Sequence, residues 1–253
     1  MSYKEKWPKI LRSLRIIPTD QEERALLTQL SNIQMTTIIG FINSHSLNLC
    51  LTDEHFYKNL EHLDLILRDG IGIKLLLKML CVSPGRNLNG TDLIPKVIQA
   101  YSNRRVGLFG TTESAAKLAA NVLREKYGIK DVVAEHGFHH NEYYSDIQKK
   151  MRCDIIILGM GMPKQEEVAV HLKNADDNVT LIVCGGAILD FLSGRIPRAP
   201  RWMRALAVEW VFRMCLEPRR LFKRYVIGNP VFLVRGTILA FHYRFLVEGR
   251  NCK

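Results

Sequence analysis

An α/β fold, with a parallel sheet covered by helices on both faces and a basic helical appendage at the C-terminal end, is what this sequence predicts. Three observations carry it. The runs Arg105–Phe109, Asp154–Leu158 and Val179–Cys184 lack the polar alternation of a one-sided sheet, so their strands are expected to be buried on both faces. Helical stretches separate them, the pattern of parallel strands joined by crossovers. Glycines stand at three strand ends, Gly107–Gly110, Gly159–Gly161 and Gly185-Gly186. At 253 residues, 47% hydrophobic and 24% charged, the chain suits one large domain or a domain with an appendage, and its composition excludes disorder and collagen-like repeats.

The elements follow in order. Residues 1–34 read as a basic leader and then a helix over Glu22–Leu30, with Thr19 or Asp20 as N-cap. Met35–Ile42, rich in Thr and Ile, reads as a strand, followed by a helix around Asp53–Leu60. A short strand near Leu63–Leu67 ends in Arg68-Asp69-Gly70-Ile71-Gly72. Ile73–Met79 and Asp92–Tyr101 read as helices on either side of the turn-prone Ser83-Pro84-Gly85. After the strand Arg105–Phe109, Gly110-Thr111-Thr112-Glu113 turns into a helix that Gly128 closes. Asp131–Glu135 is a strand, Tyr143–Met151 a helix and Asp154–Leu158 a strand. Gly159-Met160-Gly161-Met162-Pro163 then opens a helix, with Pro163 suited to its first turn, and Val179–Cys184 is the last strand. No internal repeat, low-complexity tract or flexible linker interrupts this order. The division expected is 1–34 leader and helix, 35–194 α/β body and 195–253 basic appendage.

Charge supports that division. Residues 195–253 hold 13 basic and 3 acidic residues, a balance of +10, whereas residues 1–194 hold 23 and 22, a balance of +1. Such a tail suits nucleic acid or an anionic membrane surface. Read as one helix, Arg201–Leu216 gathers Arg201, Arg204, Glu209 and Arg213 on one half and Trp202, Leu206, Trp210 and Phe212 on the apolar remainder. A basic face beside an aromatic one fits an interfacial helix better than a duplex reader. Packing of the apolar face on the body explains the pattern equally well. The uncharged runs Tyr225–Val234 and Gly236–Tyr243 are too short to span a bilayer, and Gly228, Asn229 and Pro230 interrupt the first. The six cysteines are scattered, with no C-x-x-C pair and no His at zinc-ligand spacing, which fits a reducing compartment. No apolar segment follows Met1, so a signal peptide is not expected.

Ligands of open parallel sheets bind at the carboxyl ends of strands, where helix N-termini offer free N–H groups. The three glycine-bearing strand ends therefore mark either a nucleotide diphosphate site or tight turns; neither G-x-G-x-x-G nor a Walker loop is present. Asp69, between an apolar strand and Gly70, suits a general base whose proton affinity burial has raised, or equally a helix cap. Asn43 ends the preceding strand as a turn residue or a sugar-hydroxyl ligand. The sequence has no D-x-D, H-E-x-x-H or G-x-S-x-G, which argues against a metal-bridged nucleotide sugar, zinc hydrolysis and serine hydrolysis. Arg86 and the tail arginines suit a leaving diphosphate, since a guanidinium binds phosphate oxygens in pairs; isolated surface arginines also serve solubility alone.

Several motifs in order, from about Thr37 to about Leu233, resemble a known family. They are Ile42-Asn43-Ser44-His45, Leu67-Arg68-Asp69-Gly70-Ile71-Gly72, and Arg86-Asn87-Leu88-Asn89-Gly90-Thr91-Asp92. Gly159-Met160-Gly161-Met162-Pro163-Lys164-Gln165-Glu166 and Cys184-Gly185-Gly186-Ala187-Ile188-Leu189-Asp190-Phe191 follow. Gly194-Arg195-Ile196-Pro197-Arg198-Ala199-Pro200 and Glu217-Pro218-Arg219-Arg220-Leu221 complete the set, which is similar to that of the WecG/TagA/CpsF family of bacterial glycosyltransferases.

The resemblance implies a Rossmann-like, inverting transferase that moves a sugar, often N-acetylmannosamine or its uronate, from a UDP-sugar to a polyprenyl-diphosphate-linked sugar. No metal or other cofactor is expected. By that resemblance Asp69 is the base, Asn43, His45, Arg86 and Gln165 line the pocket, and Gly185, Gly186 and Asp190 hold the uridine nucleotide. Arg195, Arg198, Arg213, Arg219, Arg220 and Arg224 are expected to close over the donor diphosphate and to dock the protein on the anionic inner face of the bacterial plasma membrane. The chain departs from the family at Phe41, where Thr is usual and a pocket hydroxyl is lost, at Arg68, where Pro is common, and at Leu189, where Phe is usual. The rival readings are a non-catalytic nucleotide-binding or membrane-adaptor protein and, less well matched to the aromatic stripe, a nucleic-acid binder. Packing of the tail's apolar face on a second copy would make a homo-oligomer.

Overall fold

The computed structural model describes residues 2–206 and 208–248. The chain begins with α1 (Tyr3–Arg12) and α2 (Asp20–Ser31), then β1 (Thr37–Ile42), α3 (Ser44–Thr52), α4 (Glu54–Glu61), β2 (Leu65–Arg68) and α5 (Gly70–Met79). The middle holds α6 (Gly90–Ala100), β3 (Val106–Gly110), α7 (Glu113–Tyr127), β4 (Val132–Glu135), α8 (Asn141–Met151), β5 (Ile155–Gly159), α9 (Lys164–Ala175) and β6 (Leu181–Cys184). The C-terminal part holds α10 (Ile188–Leu192), α11 (Arg201–Ala205), α12 (Glu209–Leu216), α13 (Pro218–Phe222), a π-helical turn Lys223–Ile227 and α14 (Gly228–Glu248).

All six strands join one sheet in the order β2-β1-β6-β5-β3-β4, and every pairing is parallel. The apolar runs explain this: β3, β5 and β6 are buried along their whole length, as strands covered on both faces must be. One face of the sheet packs Trp7, Leu47, Phe56, Leu76, Val168 and Phe232, contributed by α1, α3, α4, α5, α9 and α14. The other packs Leu26, Ile94, Ala120 and Leu189 from α2, α6, α7 and α10. Local chemistry sets several boundaries. Thr19 caps α2 by accepting a hydrogen bond from the Glu22 N–H at 3.2 Å, and Gly128 ends α7 in the left-handed region with φ +69°. Gly110 ends β3 with φ +152°, and a Cβ there would lie 2.4 Å from the Gly159 carbonyl carbon, so the β3 and β5 ends approach too closely for a side chain.

Both ends of the chain pack on the body. The expected leader is α1, and it is core: Trp7 is fully buried, its indole N–H donates to the Leu47 carbonyl at 2.7 Å, and its ring lies 5.3 Å from that of Phe232. Lys6 is buried with it, neutralised by Glu54 at 2.6 Å. The C-terminal helices pack on the body, because Phe232 and Leu239 of α14 belong to the same core as Trp7 and Leu76. Gly236 allows the close approach, since a Cβ there would meet Leu76 Cδ1 at 3.1 Å. The stretch read as one helix over Arg201–Leu216 is two, α11 and α12. Among the described residues no helix is long and apolar enough to cross a membrane.

Candidate active site

The site begins with strand register. Ile42 of β1 pairs with Arg68 of β2, and the Asp69 N–H donates to the Ile42 carbonyl at 2.8 Å, so Asn43 and Asp69 leave the sheet side by side at its carboxyl edge. Each stands immediately before a helix, but their side chains are used differently. Asn43 caps α3: its Oδ1 accepts from the His45 and Ser46 N–H groups at 3.0 and 3.1 Å. Asp69 has the N-cap position of α5 and makes no capping hydrogen bond. The backbone turns away at Gly70, φ +83°, whose N–H is taken by Asn87 Oδ1 at 3.0 Å. The capping explanation of Asp69 is thereby removed, and its carboxyl is free to face a cavity.

Burial raises the Asp69 pKa above the ordinary carboxylate value. A hydrogen bond from Asn43 and the charges of Arg224, Arg213 and Arg68 oppose that rise without cancelling it. The cavity, about 720 Å³, has Asn43, Asp69, Gly70, Asn87, Asn89 and Asp92 on its sheet side. Its other wall is the tail: Arg204, Glu209, Trp210, Arg213, Arg224 and Tyr225. The π-helical turn lies in this wall and carries Arg224 and Tyr225, and Ser44 ties the start of α14 down through Asn229 at 2.7 Å.

Electrostatics single out this wall. The Nε atoms of Arg198, Arg204, Arg213 and Arg224 are buried with no hydrogen-bond partner among the described residues. Burial depresses the pKa of Arg224, and the neighbouring Arg213 adds to the depression. A buried, unpartnered guanidinium N–H is unfavourable unless an anion completes it, and a phosphate oxygen does so best. Arg213 is held in place by stacking 5.3 Å over the Phe191 ring and by Glu217 at 3.6 Å. Burial raises the Glu209 pKa despite Arg198 and Arg204 nearby. His45 sits behind the site, half-buried, its pKa lowered to about 4 by burial and by Arg224, so its imidazole is neutral near pH 7.

The structure brings Asn43, Asp69, Arg213 and Arg224 into this cavity, with His45 adjoining it, and sends the other expected residues elsewhere. Arg86 does not line the cavity; it pairs with Asp20 at 2.5 Å and Glu23 at 2.9 Å and anchors α2. Gln165 is also outside: its Oε1 accepts from the Gly161 and Gly186 N–H groups at 3.2 and 2.9 Å, which clips together the loops after β5 and β6. Asp190 accepts from Thr111 Oγ1 at 2.5 Å and pairs with Arg195 at 3.2 Å, forming with the turn at Gly185 and Gly186 a second polar cluster beyond the cavity. Arg198 bridges Asp92 at 2.6 Å and Glu209 at 3.9 Å, locking the tail to the body. Arg219 and Arg220 are exposed, the latter paired with Glu217 at 2.5 Å.

The departures also have physical readings. Phe41 is buried in the core near Gly90 and is not among the residues that line the cavity. Arg68 is buried and pins the loop below the site by donating to the carbonyls of Pro84, Gly85 and Gly70. Leu189 covers Gly159, where a Cβ would lie 2.5 Å from its Cγ. Asn87, Asn89, Arg204, Glu209, Trp210 and Tyr225 are among the lining residues that sequence reasoning did not select. The helical wheel of the tail named three of them, and the cavity takes Arg204, Glu209 and Arg213 from its charged half and Trp210 from its apolar half.

A buried carboxylate opposite clustered guanidiniums, at the carboxyl edge of an open parallel sheet, is the equipment of an enzyme that moves a group from or to an anionic substrate. The comparisons give that class its name: the chain belongs to the WecG/TagA/CpsF family of glycosyl transferases, whose model matches residues 13–245. The protein is a glycosyltransferase. One relative, the UDP-Gal:alpha-D-GlcNAc-diphosphoundecaprenol beta-1,4-galactosyltransferase of Shigella boydii, is 28% identical over 221 residues, which cover 81% of this chain and 88% of that enzyme. Another, the N-acetylglucosaminyldiphosphoundecaprenol N-acetyl-beta-D-mannosaminyltransferase of Staphylococcus aureus, is 24% identical over 232 residues, 87% of this chain and 90% of that enzyme.

Behind the site lies a second buried carboxyl. Glu166 accepts from Gln165 Nε2 at 2.8 Å, its other oxygen has no partner among the described residues, and burial raises its pKa from 4.5 to about 8. A folded pKa above the unfolded one means that the folded state holds the proton more tightly. Stability is then full below about pH 4.5 and is lost as pH rises toward about 8, at up to about 1.4 kcal/mol per unit. Glu166→Gln removes that slope: thermal melts should match wild type near about pH 5 and exceed it near about pH 8, and parallel curves at both would contradict the assignment.

Proposed function

We propose that the protein is an inverting, metal-independent glycosyltransferase that moves a sugar from a UDP-sugar to a hydroxyl of a sugar carried on polyprenyl diphosphate. The observation that carries this reading is a cavity in which an uncapped Asp69 with raised proton affinity meets Arg204, Arg213 and Arg224, whose buried Nε atoms have no hydrogen-bond partner among the described residues. The activities of the two relatives support it: both act on an N-acetylglucosaminyl diphosphoundecaprenol, and one takes UDP-galactose.

In this mechanism Asp69 removes the proton from the acceptor hydroxyl as its oxygen attacks the anomeric carbon of the donor. The new C–O bond forms on the face opposite the bond to the diphosphate, which breaks, so configuration inverts and UDP leaves. The proton stays on Asp69 until water takes it. Asn43, held rigid by its own capping bonds, keeps the carboxylate oriented. Arg204, Arg213 and Arg224 stabilise the negative charge that grows on the departing diphosphate, the task a metal ion performs in other transferases. Asp69→Asn should lower kcat by on the order of 10²–10⁴, leave UDP affinity intact and keep or raise the melting temperature, because a disfavoured buried charge is gone. Wild-type turnover in a folded variant removes Asp69 from the role, and transfer abolished by EDTA overturns the metal-free mechanism.

The same proposal sets the protein on the cytoplasmic face of the bacterial plasma membrane as a peripheral protein. Its support is an exposed apolar row along the last helices, Phe222, Val226, Ile227, Val231, Val234, Ile238 and Phe241, beginning beside exposed Arg219, Arg220 and Lys223. Apolar side chains for the acyl boundary next to cations for anionic headgroups are what an interfacial helix requires. The double substitution Val234→Glu with Phe241→Glu should cut sedimentation with anionic vesicles about tenfold while kcat on a water-soluble acceptor holds. Unchanged vesicle binding moves the contact to another surface.

A further inference from the structure

Trp210 and Tyr225 have no part in the proton transfer, yet both face the cavity that holds Asp69, and the Arg224 guanidinium lies over the Tyr225 ring, 5.4 Å from its centroid. Their rings meet edge to face, centroids 5.7 Å apart at 61°, and both are only half-buried. Neither the indole N–H nor the phenol O–H has a hydrogen-bond partner among the described residues, so the pair is not consumed in packing. Asn87 lines the same cavity; its Oδ1 accepts from the Gly70 N–H and from Arg68, and its Nδ2 has no hydrogen-bond partner among the described residues. An aromatic face with an amide donor in the same cavity is complementary to a pyranose ring, which has an apolar C–H face and a rim of hydroxyls. Sequence adds what the sugar is attached to: Arg213 follows Trp210 by one helical turn, and Arg224 adjoins Tyr225. A uracil also stacks on aromatic rings, but in a nucleotide sugar the base is separated from the reacting carbon by a ribose and two phosphates, whereas this wall shares the cavity of the base Asp69.

We infer that Trp210 and Tyr225 form the stacking wall for the pyranose ring of a glycosyl diphosphate. The inference rests on the transferase reading above and extends it to how the sugar is held. Both substrates of such a reaction contain this unit, so the test has two arms. Calorimetric affinities for UDP, for a UDP-sugar and for a short-alkyl glycosyl diphosphate are measured on wild type, Trp210→Ala, Trp210→Phe and Tyr225→Phe, with melts to confirm folding. Trp210→Ala should weaken one sugar-bearing ligand about tenfold, leave UDP within about twofold, and be largely restored by Trp210→Phe. A loss confined to the UDP-sugar marks the wall as the donor subsite, and one confined to the alkyl glycosyl diphosphate marks it as the acceptor subsite. An equal loss for UDP itself overturns the inference in favour of a nucleobase contact, and unchanged affinities in folded Trp210→Ala overturn it outright. Affinity is read here without turnover, so failure of the wall and failure of the transfer reaction are separate results.

Discussion

A carboxylate withheld from water beside an excess of guanidiniums is the constraint around which this structure is organised. Burial raises the proton affinity of Asp69, while Asn43 and the charges of Arg224, Arg213 and Arg68 lower it. The protein holds both influences at once. Parallel register brings Asn43 against Asp69, Gly70 turns the chain so that the carboxyl is not absorbed into a cap, and Arg68 pins the loop beneath. These features matter because they leave the Asp69 carboxyl out of a helix cap and facing the cavity.

The C-terminal residues complete the arrangement. Of the 13 basic residues behind their charge of +10, Arg204, Arg213 and Arg224 stand together on one wall of one cavity. Holding Arg204, Arg213 and Arg224 near one another is electrostatically unfavourable, and the fold offsets it by anchoring their helices in the core through Phe232 and Leu239 and through the Arg198 bridge to Asp92 and Glu209. A wall stabilised this way is preorganised for an anion, which is where fixed charges contribute most to catalysis. The same helices present their apolar row outward, so the surface proposed to meet lipid and the surface that meets the substrate are two sides of one element.

Much of this was legible in the sequence, and the losses have particular causes. The strands β3, β5 and β6 show as apolar runs, because burial on both faces leaves no room for polar residues. The helix α1 was hidden by its lysines, one of which is buried only because Glu54, 48 residues away, neutralises it. Gly228-Asn229-Pro230 looks like a break, yet the helical path runs through it, the π-helical turn Lys223–Ile227 passing directly into α14. Asp69 and Asn43 were legible because a strand end is a local feature. Arg86 and Gln165 carried the same chemical types but were claimed by partners distant in sequence, Glu23 and Gly186, which no local pattern announces.

The central claim is that the tail wall tunes Asp69, and the pH dependence of kcat/KM on the free enzyme reads it most directly. Arg224 lowers the proton affinity of Asp69, so Arg224→Gln removes an opposing charge and should move the acid limb of the profile to higher pH, whatever happens to the maximal rate. An acid limb that stays put, or moves to lower pH, would mean that the group titrating in catalysis does not sense this wall.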